Sequence, residues 1–144
     1  LHNPADKHDT HVGVLLRSLA ALRKQSRKPT KVYGCEVWRA LDWLLDEDKE
    51  VLPVSAYPNI SASLVGIFDS QISGGKRYDL ATAGRRLANA TYFASHATDQ
   101  ESAVTFALDL TPLVEDASLS VEEYVSDFLR RFSDDVAAKL KRLG

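Results

Sequence analysis

With 144 residues, 44% of them hydrophobic and 26% charged, the chain can bury one core and is short for two ordinary domains. It reads as a single domain over 1–144 and not as a disordered or low-complexity segment. Eighteen Lys and Arg against twenty Asp and Glu leave a formal charge of -2, so there is no global basic field to collect nucleic acid. No apolar run approaches the roughly 18 residues that span a bilayer, and no charged start leads into an apolar signal segment.

Leu1 to Lys7 is polar and broken by Pro4, after which Val12, Leu15, Leu16, Leu19 and Leu22 recur at helical spacing. This predicts a helix to about Gln25, opened by a capping side chain from Asp9 or Thr10 and closed near Ser26 to Pro29 by a gathering of cations. Lys31 to Trp38, rich in β-branched and aromatic residues, predicts a strand, and Glu50 to Ala56 a second. The aromatic and acidic stretch from Leu41 to Asp48 carries no periodic signal.

A helix is expected from Asn59 or Ser61 to about Ser70, stopped by Gly74-Gly75. Another is expected from Tyr78 to about Phe93, with Leu80, Ala83, Leu87, Ala88 and Thr91 on one side. Ala103 to Leu110 alternates and predicts a strand closed by Pro112. Ser120 and Glu123 form a capping box. It opens a long amphipathic helix whose stripe runs through Val121, Tyr124, Val125, Phe128, Leu129, Phe132, Val136 and Leu140. Helices interleaved with strands favour an α/β layered fold over a bundle.

A single cysteine, Cys35, excludes an internal disulfide and a thiolate metal cluster, leaving histidine and carboxylate as metal ligands and favouring a cytoplasmic setting. His8-Asp9-Thr10-His11 is the one dense cluster of such groups. In the first turn of a helix, His11 meets the positive end of the dipole, which disfavours an imidazolium and favours the neutral ring a metal needs. A catalytic zinc takes three protein ligands, so further groups are required. Asp6, Asp9, His2 and His96 are candidates, and none has a spacing that singles it out. The competing reading takes His8 and His11 as ordinary polar residues at a helix start.

Asn3-Pro4-Ala5-Asp6-Lys7-His8-Asp9-Thr10-His11-Val12-Gly13-Val14 resembles the second signature of the LmbE-like (PIG-L) zinc-dependent N-acetylglucosaminyl deacetylases, a His-Pro-Asp-His stretch followed by a helix. Lys31 to Trp38, Asp69-Ser70-Gln71 and Gly84-Arg85-Arg86 through Tyr92-Phe93-Ala94-Ser95 are similar to later segments of that family. Asp9-Thr10, Asp69 and Ser95 depart from its usual residues.

The resemblance implies the C-terminal portion of a layered, Rossmann-like deacetylase fold. It also implies zinc as cofactor, His11 as a zinc ligand, His8 as the donor to the tetrahedral intermediate, and Arg85, Tyr92 and His96 as contacts to an N-acetylated sugar. The family's Ala-His-Pro-Asp-Asp motif, which supplies further ligands and the aspartate base, has no counterpart in these 144 residues. Together with the start at Leu1 and the absence of methionine, this leads to the expectation that the sequence is the C-terminal half of a larger enzyme and inactive by itself. The rival expectation is a non-catalytic α/β interaction domain. Under either, half of a sheet leaves an uncovered face or edge, so a partner segment or homo-oligomer is expected.

Cys35 among apolar neighbours reads as a buried filler, and the glycines near Lys76 lack phosphate-loop spacing and read as a helix stop.

Overall fold

The computed structural model describes residues 1–36, 38–96 and 103–144. Its elements, in chain order, are α1 (Asp9–Arg23), β1 (Tyr33–Cys35), a 3-10 turn (Asp46–Asp48), β2 (Glu50–Pro53), α2 (Pro58–Val65), a second 3-10 turn (Gly66–Phe68), α3 (Asp69–Ser73), α4 (Tyr78–His96), β3 (Val104–Asp109), α5 (Thr111–Glu115) and α6 (Val121–Leu143). The result is a mixed α/β chain in which a small sheet, ordered β1-β3-β2, accompanies a larger helical content. β1 and β3 run antiparallel, with Tyr33 opposite Asp109, Gly34 opposite Leu108 and Cys35 opposite Ala107.

Contacts divide the chain into two compact units. The first holds Leu1–Glu36, Leu41–Glu50 and Ala107–Gly144. In it, Leu15 and Leu19 of α1 are buried together with Val32, Leu41, Leu44, Leu108, Leu110, Leu113 and Val114, and α1 packs on α5. Leucines four apart on a helix share one face, which is why this pair enters the core. Arg23 at the end of α1 donates from Nε to the Leu113 carbonyl (2.6 Å) and from Nη2 to that of Leu119 (2.8 Å), and Lys28 donates to the Val114 carbonyl (2.9 Å). The cations gathered at the helix end therefore satisfy carbonyls of and beyond α5. The Thr111 hydroxyl accepts from the Val32 N–H at 3.0 Å, and Leu110 N–H donates to the Val32 carbonyl at 2.7 Å, extending the β1 to β3 pairing.

The second unit holds Val37–Ala40 and Val51–Phe106. Ala90, Val104 and Phe106 are buried in it, with Asn89, whose amide donates to the Val104 carbonyl at 3.4 Å. α2 packs on α4, where the Arg86 guanidinium donates to the Ser61 hydroxyl.

Several expectations change. The strand expected over Lys31 to Trp38 shortens to Tyr33–Cys35; Trp38 is 57% exposed, and Val37 lies outside the described residues. The helix expected from Asn59 or Ser61 is broken into α2, a 3-10 turn and α3, which Gly74-Gly75 does terminate, Gly75 at φ 97°. α4 forms where expected but does not bury the Leu80 to Leu87 side: these two leucines are 60% and 62% exposed. The side turned inward carries Asn89 and Ala90, so a polar residue with a bonded amide outcompetes the more apolar stripe for the interior. In α6 the capping box is present as expected, Ser120 Oγ accepting from the Glu123 N–H (3.0 Å) and Glu123 Oε2 from the Ser120 N–H (3.1 Å).

Candidate metal centre

The segment before α1 folds back on itself. Asn3 is fully buried, and its side-chain carbonyl accepts from the Ala5 N–H at 2.9 Å while its backbone carbonyl accepts from that of Asp6 at 3.4 Å. This is the local bond that asparagine offers to a turn, and Pro4 inside it suits the bend. Upstream of the turn, the chain lies along β1: the Leu1 nitrogen donates to the Tyr33 carbonyl (2.7 Å), the Cys35 N–H to the Leu1 carbonyl (3.0 Å), and His2 bridges Cys35 in parallel. Gly34 permits that approach. A Cβ there would stand 2.9 Å from Leu110 Cδ1, 3.1 Å from the His2 carbonyl oxygen and 3.3 Å from Asn3 Cα.

The turn brings three histidines and one carboxylate together. The His11 ring lies between two others: His2 stacks on one side, with centroids 4.2 Å apart and planes 2° from parallel, and His8 stacks at 4.7 Å and 23°. Asp6 Oδ2 stands 3.0 Å from His11 Nδ1, while Asp6 Oδ1 accepts from the His8 N–H at 2.8 Å. His2, Asp6 and His11 each offer a ligand atom, and these atoms lie within 4.8 Å of one another.

The capping expectation is corrected here. Helix α1 begins at Asp9, but the cap position is His8, whose side chain makes no capping bond, and neither Asp9 nor Thr10 supplies one. The carboxylate that fixes the helix entry is Asp6, which holds the His8 backbone while the His8 carbonyl accepts from the His11 and Val12 N–H groups at 2.9 and 3.2 Å.

Electrostatics suit a cation. Burial pushes the His2 imidazole below its usual value, and the neighbouring His11 adds to this more than Asp6 opposes it, so the ring keeps a lone pair free. For Asp6, burial alone pushes the carboxyl up, but the His8 N–H and the His11 ring together outweigh it and hold Asp6 below the ordinary carboxylate range. An anionic oxygen and unprotonated imidazole nitrogens are the donors that zinc takes.

Of the residues picked from sequence, His8 and His11 are thus brought together, ring on ring. His2 and Asp6, which spacing alone does not single out, join them. Arg85, Tyr92 and His96 belong to α4 in the second unit. Arg85 donates to the Trp38 carbonyl at 3.0 Å and Tyr92 is 43% exposed; the His96 side chain lies outside the described residues. Cys35 is half-buried, and burial raises its thiol above the usual value, as fits a filler and not a nucleophile. No helix among the described residues is long and apolar enough to cross a membrane. Comparison with protein-family models, curated proteins and solved structures returns no match.

Proposed function

We propose that the chain is the histidine-bearing portion of a zinc-dependent amide hydrolase that removes the acetyl group from an N-acetylglucosamine-type substrate, in the manner of the LmbE-like deacetylases whose signature Asn3 to Val14 resembles. The observation that carries the reading is the convergence of His2, Asp6, His8 and His11 at the start of one helix, with a carboxylate oxygen against the His11 ring. The residues fit a divalent ion: His11 would hold it, with Asp6 bonded to its ring and His2 stacked on it.

A zinc ion bound there supplies polarisation of the acetyl carbonyl and a water whose pKa falls toward about 7. The chain's own contribution is positional. His8, exposed and stacked on His11, stands beside the ligand ring where its N–H would donate to the oxygen that becomes anionic as the carbonyl is attacked. The base that takes the water's proton and the remaining ligands come, in this reading, from an Ala-His-Pro-Asp-Asp motif outside these 144 residues. The resemblance gives the sugar contacts to Arg85, Tyr92 and His96, within a Rossmann-like layered fold, and the single cysteine favours a cytoplasmic setting.

Zinc stoichiometry of the 144-residue chain, and acetate release from an N-acetylated glucosamine once a polypeptide bearing that motif is supplied, test the reading. Bound zinc that is lost in His11→Ala, together with acetate release in the reconstituted protein, is the expected outcome. Neither zinc nor acetate in the reconstituted protein ends it.

A further inference from the structure

The three candidate ligands are not equivalent in geometry. His11 is the middle ring of a stack, so His2 and His8 fix the plane of its imidazole. The stack still allows a half-turn about Cβ–Cγ, which keeps the plane and exchanges Nδ1 with Cδ2, and this is what Asp6 removes, through the 3.0 Å approach of Oδ2 to Nδ1. The other oxygen of Asp6 is occupied by the His8 N–H at 2.8 Å, so the carboxylate is itself held at both ends. A carboxylate facing a neutral imidazole requires that the facing nitrogen carry the proton, because both oxygens accept and neither donates. The opposite nitrogen then holds the lone pair. Parallel rings about 4 Å apart also aim their nitrogen lone pairs along parallel planes, not at a common point, so His2 and His11 as stacked do not clasp one ion between them.

From this geometry we infer that Asp6 is a positioning residue and not a metal ligand: it holds His11 as the Nδ1–H tautomer, directing Nε2 outward as the ligating atom. The inference rests on the proposed zinc site and assigns the atom by which His11 serves it. The arrangement is the carboxylate–imidazole–metal relay by which outer-shell groups orient ligands, and removal of such partners generally weakens metal binding by about 10- to 100-fold.

Asp6→Asn is the informative variant. Its carbonyl still accepts from the His8 N–H, which turns the amide N–H2 toward His11 Nδ1 and demands the opposite tautomer. Imidazole nitrogen shifts, read by long-range 1H–15N correlation on the metal-free 144-residue chain at a pH above the ordinary histidine range, report the tautomer directly. The expected results are Nδ1–H at His11 in the wild type, Nε2–H in Asp6→Asn, and zinc affinity lowered about 10- to 100-fold in the variant with stoichiometry unchanged. Asp6→Ala, checked for folding by circular dichroism, is expected to relax toward the tautomer mixture of a free histidine, in which Nε2–H is the major form, short of the full reversal in Asp6→Asn.

An Nε2–H tautomer in the wild type, or a tautomer indifferent to both substitutions, overturns the inference. So does abolition of zinc binding in Asp6→Asn as complete as in His11→Ala, since that is the behaviour of a ligand. If neither zinc nor acetate is found with the reconstituted wild type, the proposed function falls while the tautomer measurement still decides the role of Asp6.

Discussion

His11 and His8 stand three residues apart and are stacked ring on ring, yet their substitution has separable consequences. His11→Ala removes the ligand, and zinc content measured after dialysis is expected to fall toward zero. His8→Ala leaves the ligand in place, so zinc is retained while turnover of the reconstituted enzyme drops about 10²- to 10³-fold, the usual cost of one preorganised donor to an oxyanion. Gly34 has no chemistry and still matters to the same cluster. A methyl group at 2.9 Å from Leu110 and 3.1 Å from the His2 carbonyl must push the first residues away from β1 or distort the strand. Gly34→Ala is expected to cost about 1–3 kcal/mol in urea unfolding, with the His2 ring resonances shifted as its stacking on His11 is disturbed. Of this cluster the sequence singles out only the pair His8 and His11, with His2 and Asp6 among four unranked candidates. His2 and Asp6 arrive through a turn built on Asn3 and a backbone contact across more than thirty residues to Gly34, and neither is a matter of spacing.

Among the elements, α6 was the most legible, because its start is written in four consecutive residues whose bonds close on each other. Ser120→Ala breaks the box and is expected to cost about 1 kcal/mol, readable as a lower urea midpoint with unchanged slope. The stripe on the same helix was less informative than its periodicity suggests. Leu140 is 70% exposed, so Leu140→Ser is expected to change stability by no more than about 0.5 kcal/mol. Leu15→Ala in fully buried surroundings should cost about 2–5 kcal/mol. Periodicity identifies a helix and its apolar side, but what covers that side is a property of the other elements. The same limit explains α4, where Leu80 and Leu87 form the more apolar side and Asn89, bonded to β3, takes the interior. β1 is only three residues long, pairing with Ala107 to Asp109 and not with the first half of β3, which no property of Lys31 to Trp38 announces.

At the scale of the whole molecule, one phenol contributes to the dependence of stability on alkaline pH. Tyr124 of α6 donates to the Asp109 carbonyl at 2.6 Å. Burial, with help from the Asp109 and Asp48 charges, pushes its pKa up to about 12. The folded state therefore holds this proton more tightly than the unfolded chain does. Its contribution is fully present below about pH 10, the ordinary phenol value, and is lost as pH rises through about 12. Tyr124→Phe is expected to lower stability at neutral pH by about 1 kcal/mol, the worth of one such hydrogen bond, and to flatten the alkaline decline measured by denaturation midpoints between these two values. At the acid end the sign reverses. Burial raises the Asp109 carboxyl, but its bonds to Lys31 and Thr111 outweigh this and lower it, so the stability it adds is present above the ordinary carboxylate range and vanishes as pH falls through its depressed value.

The grip of Arg23 and Lys28 on the carbonyls of Leu113, Val114 and Leu119 couples the stability of the two ends of the chain. Five residues are too few to sustain a helix in water, so Thr111–Glu115 has little reason to coil before those donors are in place. The donors sit some ninety positions earlier, at the tail of a helix near the start of the polypeptide. Coiling near the end of the chain is thereby coupled to order near its beginning, and the two distant stretches stabilise each other.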